Sequence, residues 1–382
     1  MRRTLILGAG FGGLSVATEL RERLGDRHEI VLLDQRDDLV LGLRKLWAVA
    51  GIGTLEEGRR NRRELTARGI PFRRCEILRI DPAQRRVETD DGTFEGDDLV
   101  VALGAVTRPD LVPGLAQHAH SLYDVDAIPA LAAAVAALTR GTIAIVIAGA
   151  PYKCPPAPYE CAMLLGEAFE RRGLRAAVRI VVTTLSPILL PSAGVAGSEW
   201  LGERLRERGI EFAAGRRPVR IEERRVVYEE GAPLDAALVI VVAPHRVPAV
   251  VAESGLTAGG DWIPVDPGTM ATSHEHVFAI GDVVQIRLAN GLPLPKAGLM
   301  AESQGRCVAA AIAASVTGAT APEPFDGRGH CFVEMGASEA ALLEGNFYAR
   351  PEPDVRFVGA SAAHADEKRR FESERLARWF GS

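Results

Sequence analysis

The 382-residue sequence predicts an α/β protein with two Rossmann-like dinucleotide-binding domains and a small C-terminal domain. Three observations predict this fold class. A strand, a glycine-rich turn, a helix and a second strand follow one another at the N-terminus, and another buried strand and helix begin near residue 141. The chain is also too long for one hydrophobic core, which stops growing at roughly 250–300 residues.

The first dinucleotide site lies within residues 3–34. The apolar run 3–7 reads as a buried strand, and Gly8, Gly10 and Gly13 complete the pattern G-x-G-x-x-G before a helix. Such glycines allow a tight turn, close approach of a pyrophosphate, and close packing of helix on strand. Asp34 ends the next strand, 21 residues past Gly13, where an acid binds a ribose hydroxyl. The predicted cofactor residues here are Gly8, Ala9, Gly10, Phe11, Gly12, Gly13, Asp34 and Gln35.

Two later segments indicate which dinucleotide binds. A strand in 97–110 breaks at Gly104, and a strand in 274–284 ends in Gly281-Asp282. Both segments resemble those shared by flavoproteins of the pyridine-nucleotide–disulfide reductase superfamily. The resemblance implies a disulfide-reductase type of fold and FAD as the cofactor. It places the following residues near the FAD: Ala102, Leu103, Gly104, Gly281 and Asp282.

The second Rossmann-like unit begins in 141–170 but lacks the glycines of a nucleotide turn. Its connecting loop, 149–158, keeps one glycine and contains four prolines, which supply no N–H to a phosphate. The next strand, 177–184, ends in two threonines instead of an acid. The sequence therefore predicts a domain that keeps the fold without its usual ligand. The alternative, that the loop still admits NADH, stays open.

Cys154 lies in this proline loop, just before a helix that we expect to start at Pro158. The positive end of the helix and the adjacent Lys153 predict that the thiolate is favoured over the thiol. The residues alone leave an inert and a reactive cysteine both open. Of the remaining cysteines, Cys75, Cys161 and Cys307 are expected to be packing residues.

The loop YKCPPAPYE resembles the one that carries the redox cysteine in sulfide:quinone oxidoreductases and in the flavoprotein subunit of flavocytochrome c sulfide dehydrogenase. The resemblance implies that Cys331 pairs with Cys154 at the flavin. It also implies that the Pro-Lys-x-Gly motif in 292–305 begins a helix at the flavin ring, where Lys296 and Gly298 lie and Lys296 supplies positive charge. The implied catalytic residues are Cys154, Cys331 and Lys296.

The resemblance extends over nearly the whole chain and implies its domains. The FAD domain comprises 1–115 and 246–318, the second Rossmann-like domain 116–245, and the C-terminal domain 319–382. Many sulfide:quinone oxidoreductases have a third cysteine where this chain has Tyr123, which matches the cytochrome-linked subfamily better. The last residues predict an amphipathic helix that could lie on an anionic bilayer, pack on the protein, or pack on a second subunit as a homodimer. Its apolar strip is Phe371, Leu376, Trp379 and Phe380.

Composition limits the partners and the location. Basic and acidic residues number 45 and 50, giving a net charge of −5 and no electrostatic reason to expect nucleic acid. No apolar run approaches the ~20 residues of a membrane span, and the N-terminal apolar stretch is too short for a signal peptide. No pair of cysteines has CxxC spacing, which disfavours a metal site. We therefore expect a cytoplasmic protein, or one peripheral on the inner membrane.

The leading hypothesis from the sequence is an FAD-dependent enzyme that oxidises sulfide or a related sulfur compound. Electrons would pass through the Cys154–Cys331 pair to a quinone or a cytochrome c-type acceptor. One alternative is a type II NADH:quinone oxidoreductase, which wants the missing glycine loop. The other is a flavin electron-transfer protein whose cysteines are structural.

Overall fold

The structure is a computed structural model that describes residues 1–336 and 338–381. Within these residues the helices, α1 to α9 in chain order, are Phe11–Leu24, Gly42–Val49, Leu115–His118, Ile128–Ala137, Ala157–Arg171, Gly194–Glu207, Ala249–Glu253, Gly298–Thr317 and Ala362–Phe380. The strands, β1 to β23, are Arg3–Leu7, Glu29–Asp34, Asp38–Leu39, Arg60–Asn61, Phe72–Arg74, Ile77–Asp81, Arg86–Thr89, Gly92–Glu95, Asp98–Val101, Val106–Thr107, His120–Ser121, Gly141–Ile147, Val178–Thr184, Glu211–Ala213, Pro218–Glu222, Arg225–Tyr228, Leu234–Asp235, Leu238–Val242, His245–Arg246, Val277–Ala279, Arg328–Gly336, Glu339–Asn346 and Asp354–Ser361.

The first large sheet is parallel and has the order β20-β9-β1-β2-β5. Its central strands are nearly continuous apolar runs, as expected where helices cover both faces of a parallel sheet. Helices α1 and α8 pack together closely, because a Cβ on Gly305 would lie 2.8 Å from the Gly12 carbonyl oxygen. The carboxyl ends of β1, β2, β9 and β20 meet at one edge, where open α/β sheets bind ligands.

The second large sheet is also parallel, with the order β11-β18-β12-β13-β14. The strands β12 and β18 are buried almost throughout because their residues are mainly valine, isoleucine and alanine. The loop between β12 and α5 leaves the carboxyl edge of this sheet and reaches the first domain. The predicted α/β class with two Rossmann-like units is confirmed.

A three-stranded antiparallel sheet, β21-β22-β23, completes the chain and is followed by α9. The apolar strip of α9 is buried: Trp379 is 1% exposed and lies edge-on to Phe11, with ring centroids 5.4 Å apart. Its arginines pair with the first domain, for example Arg375 with Glu302 at 3.2 Å. Of the three settings predicted for the tail, the structure therefore shows packing on the protein itself. Within the described residues, no helix combines the length and apolarity needed to cross a membrane.

Candidate active site

The glycine turn between β1 and α1 is built for close approach. Gly8 has φ +96°, and a Cβ there would lie 2.4 Å from the carbonyl oxygen of Ala102, in the predicted turn that also contains Leu103 and Gly104. A Cβ on Gly13 would lie 1.8 Å from the carbonyl oxygen of Gly8, so helix and strand touch at this point. A Cβ on Gly10 would meet no atom within 4 Å.

The start of α1 carries unused donors. The first N–H of this helix to bond to the turn is that of Leu14, which donates to the Gly10 carbonyl at 2.9 Å. Those of Phe11, Gly12 and Gly13 meet no acceptor in the part of the chain that the structure describes. An open cradle with free N–H groups at a helix N-terminus fits the diphosphate of a dinucleotide.

Asp34 is tied to this turn. One carboxylate oxygen accepts the Ala9 N–H at 2.8 Å and the other accepts the Arg36 N–H at 2.9 Å. Arg62, which is buried, donates to the Ala9 carbonyl at 3.0 Å and lies 3.6 Å from Asp34. The sequence interpretation missed Arg62, because its place in a short 3₁₀ turn has no motif. Gln35 follows Asp34 on the exposed side, and its carbonyl accepts from Arg74 at 3.4 Å.

We expect Gly13→Ala and Gly10→Ala to fail in different ways. The first forces Cβ into the Gly8 carbonyl, so it should lower the thermal midpoint of the protein even without FAD, by about 5 °C or more. The second has an extended backbone and room for Cβ, so it should fold normally yet lose FAD because the methyl group takes the place of the pyrophosphate. Thermal melts of FAD-free protein and FAD content after purification measure the two effects. Equal melts for both variants would contradict this account of the turn.

The proline loop of the second domain is joined to the Pro-Lys segment of the first. The Cys154 N–H donates to the Lys296 carbonyl at 2.6 Å, and Lys153 and Lys296 form an isolated parallel bridge. The Tyr123 hydroxyl donates to the Cys154 carbonyl at 3.2 Å. Cys154 itself has φ +46°, an uncommon conformation for a residue with a side chain. These contacts hold the cysteine where the two domains meet.

Cys154 and Cys331 line the same cavity, of about 320 Å³. Residues from the predicted cofactor segments line it as well: Gly10, Phe11, Asp282, Lys296 and Gly298. An adjoining cavity of about 340 Å³ runs past Arg36 and Arg62, and shares Lys45, Tyr123 and Lys153 with the first. The structure thus brings together the three predicted catalytic residues beside the glycine turn.

The predicted preference of Cys154 for the thiolate form is wrong for this arrangement. Burial raises the pKa of the Cys154 thiol, and the nearby Glu160 and Cys331 raise it further. Burial likewise raises the pKa of Cys331 to about 12. The expected compensation is absent because the Lys153 ammonium donates to the Ala105 carbonyl at 3.1 Å, and because α5, which starts at Ala157, has used its first donors.

Those first donors of α5 bond within their own turn. The N–H of Ala157 donates to the Cys154 carbonyl at 2.9 Å, and those of Tyr159 and Glu160 donate to the Pro156 carbonyl at 3.0 Å. Pro158 has no N–H. The start of α5 therefore offers a phosphate none of the donors that the start of α1 offers.

Lys296 is directed into the protein. Its ammonium donates to the Asp282 and Val284 carbonyls at 2.7 and 2.8 Å and lies 3.5 Å from the ring centroid of Trp262. All three N–H groups are thereby used, since a ring face is a favourable partner for an ammonium. Burial lowers the pKa of Lys296 to about 8 and raises that of the Asp282 carboxyl. Gly298, at the start of α8, packs against Phe11, since a Cβ there would lie 2.9 Å from the ring.

A buried cluster of two carboxylates and a lysine, which the sequence interpretation missed, connects the two cysteine-bearing elements. Glu160 lies six residues after Cys154 on α5, and Glu334 lies three residues after Cys331 on β21. Lys368 of α9 pairs with both carboxylates, at 2.8 Å from Glu334, and the Glu334 N–H donates to Glu160 at 2.8 Å. We call Glu160, Glu334 and Lys368 the carboxylate–lysine cluster.

The fold and this site define an FAD-dependent oxidoreductase with two dinucleotide-binding domains, because one nucleotide turn is intact and a pair of thiols lies beside it. Residues 2–305 match the family model described as pyridine nucleotide-disulphide oxidoreductase. The chain belongs to that family, and FAD is its cofactor.

Comparison with individual proteins gives two groups of relatives. The mitochondrial sulfide:quinone oxidoreductase of Dictyostelium discoideum is 24% identical over 358 residues, covering 90% of this chain and 77% of that protein. A type II NADH:quinone oxidoreductase of Staphylococcus haemolyticus is 25% identical over 347 residues, covering 84% of each. The structure of the sulfide:quinone oxidoreductase of Aquifex aeolicus covers 100% of this chain and 92% of its own, with a TM-score of 0.89 and 21% identity. The similarity predicted from the cysteine loop is confirmed.

Proposed function

We propose that this protein oxidises sulfide or a related sulfur nucleophile through a Cys154–Cys331 pair and delivers the electrons to a quinone or a one-electron carrier. The observation that carries the proposal is the shared cavity: both cysteines line it together with the glycine turn and the Gly-Asp segment. The relatives named sulfide:quinone oxidoreductase support the same substrate and acceptor.

The sulfur step needs only the two cysteines and the substrate. A hydrosulfide ion attacks one sulfur of a Cys154–Cys331 disulfide, the S–S bond between the cysteines breaks, and a new S–S bond forms to the incoming sulfur. The other cysteine leaves as a thiolate, so the pair holds two more electrons than before. Bound FAD supplies the redox chemistry that takes up such an electron pair and passes it to the acceptor.

The surrounding residues position the pair for this step. Tyr123 and the Lys296 carbonyl hold the loop of Cys154 against the first domain. The carboxylate–lysine cluster holds β21, and with it Cys331, against α5. Apolar rings close the remaining side of the cavity, with Phe11 and Phe371 stacked at 6.1 Å and Phe332 and Phe371 at 6.3 Å, and an aromatic wall of this kind suits a quinone ring.

Oxidation of NADH is the second candidate, because relatives named type II NADH:quinone oxidoreductase cover 81–84% of the chain. The start of α5 argues against it: the donors of Ala157, Tyr159 and Glu160 already bond to the preceding turn, and prolines occupy the neighbouring positions. A dinucleotide diphosphate bound there would lack the N–H groups that recognise it elsewhere.

An anaerobic titration of the holoenzyme separates the two candidates. Sulfide should bleach the FAD absorbance within the mixing time of a manual experiment, and NADH at the same concentration should leave it unchanged over that time. Prompt bleaching by NADH and none by sulfide would overturn the proposal in favour of the second candidate. Bleaching by neither would favour the electron-transfer role with structural cysteines.

A further inference from the structure

Lysine is nearly absent from this chain outside the active site. Of the 45 basic residues only four are lysine, and the rest are arginine. All four, Lys45, Lys153, Lys296 and Lys368, line the cavity that contains the two cysteines. The surface ion pairs of the protein use arginine throughout, as in Arg179–Glu211 and Arg225–Asp235.

The two basic side chains differ in one respect that matters in a buried site. Arginine stays charged under all conditions that proteins meet, whereas a buried lysine readily loses its proton near neutral pH. A chain that places its only lysines around two thiols therefore places there the basic residues whose charge can change.

The hydrogen bonds of the four lysines show which one is left to respond. Lys296 has three partners, and Lys368 pairs with two carboxylates. Lys153 donates to the Ala105 carbonyl. Lys45, on α2, donates to the Tyr123 carbonyl at 2.8 Å and to no other acceptor in the described residues, so two of its three N–H groups are directed to the cavity contents.

Charges on several elements act on Lys45. Burial lowers the pKa of Lys45 to about 7, the positive charge of Lys153 lowers it further, and a negative charge on Cys154 raises it. The two carboxylates that also raise it are too distant to be hydrogen-bond partners of the ammonium. The titratable and charged groups that face Lys45 are Lys153 and Cys154 of the proline loop, Tyr123, Asp124, Asp282 and His245.

We infer that Lys45 is the proton-binding counter-charge of Cys154, a positioning residue that binds a proton when this sulfur is anionic and releases it when the sulfur is neutral. Burial drives each group toward its neutral form, and each charged form stabilises the other, so the two titrate as a coupled pair. The step moves one proton between Lys45 and water or substrate and needs no oxidant. The inference deepens the proposed function, on which it rests, because the sulfur step leaves a thiolate.

The test uses the reduced holoenzyme and does not use sulfide. The rate at which iodoacetamide alkylates Cys154 is measured from pH 6 to pH 10, by mass spectrometry of the peptide that contains it. Because iodoacetamide reacts with the thiolate, removing the counter-charge in Lys45→Met should move the inflection for Cys154 upward by at least about one pH unit, a loss of about tenfold in rate at pH 7.5. Lys45→Gln provides a second neutral variant if Lys45→Met does not retain FAD.

Lys153→Met is the matched control, since it removes a lysine from the same cavity whose ammonium is bonded to the Ala105 carbonyl. Its shift for Cys154 should be less than half of that in Lys45→Met. An unchanged Cys154 profile in both Lys45 variants, or an equal shift in Lys153→Met, would overturn the assignment. Neither result depends on whether sulfide is the substrate, which the bleaching experiment decides separately.

Discussion

Replacing either Cys154 or Cys331 with serine should abolish the bleaching of FAD by sulfide. The serine hydroxyl cannot form the disulfide that hydrosulfide attacks, so we expect the rate to fall by at least about three orders of magnitude, as when an essential nucleophile is removed. Stopped-flow mixing of anaerobic enzyme with sulfide measures the rate. Both variants should retain FAD, because neither cysteine belongs to the glycine turn.

Cys307→Ser is the matched control for that experiment. Cys307 lies on α8, and its thiol contacts the Gly268 carbonyl at 3.3 Å, outside the cavity of the cysteine pair. Its variant should bleach at the rate of the unmodified protein. Bleaching at the unmodified rate in both Cys154→Ser and Cys331→Ser would show that the pair is structural.

Replacing Lys368 with methionine should destabilise the protein by about 3–5 kcal/mol. The ammonium is 95% or more buried and is the cation of the carboxylate–lysine cluster, so its loss leaves Glu160 and Glu334 without compensation. The Trp47 indole N–H, which donates to Glu334 at 2.9 Å, cannot replace a full charge. Urea unfolding of the holoenzyme measures the change.

The destabilisation of Lys368→Met should depend on pH with a defined sign. Burial already raises the pKa of Glu160, and losing Lys368 removes a contribution that lowers it. A carboxyl whose pKa is raised in the folded state favours folding at low pH and loses that contribution as pH rises through the folded pKa. The deficit should therefore be largest at neutral and alkaline pH, and should shrink as pH falls toward about 5.

Arg369→Met separates the buried cluster from a general weakening of α9. Arg369 follows Lys368 on the same helix and pairs with Asp366, but both side chains are more than half exposed. An exposed ion pair contributes about 0.2–1 kcal/mol, so this variant should unfold close to the unmodified protein at every pH. A deficit in Lys368→Met that is no larger than this would contradict the account of the cluster.

The parts of the site that the sequence predicts are those built from one stretch of chain. Gly8, Gly10 and Gly13 need only the strand before them and the helix after them, and the structure explains each by a contact or an opening within that unit. The absence of donors at the start of α5 also follows from local sequence, because the prolines themselves remove or redirect them. The α/β class and the family follow from such segments.

The parts that the sequence interpretation missed are assembled from separate elements. Glu160, Glu334 and Lys368 come from a helix, a strand and the last helix, and no spacing in the sequence connects them. The thiol state of Cys154 was mispredicted for the same reason: the local charges favour a thiolate, but burial by distant segments dominates. The scarcity of lysine was visible in the sequence and would have indicated Lys45 and Lys368.

The tail illustrates a third case, in which a pattern is read correctly and its partner is not determined. The spacing of Phe371, Leu376 and Trp379 predicts one apolar face, and α9 has that face. Which surface covers it depends on shape, and here Phe11 and the first domain do so.

Disulfide mapping of the oxidised holoenzyme tests the central claim most directly, namely that Cys154 and Cys331 form one redox pair. The protein is digested under acidic conditions after alkylation of free thiols, before and after anaerobic addition of one equivalent of sulfide. The account predicts a cross-linked peptide containing both cysteines in the oxidised sample, and its replacement by separate alkylated peptides after sulfide. Recovery of both cysteines as free thiols from oxidised protein that still oxidises sulfide would contradict it.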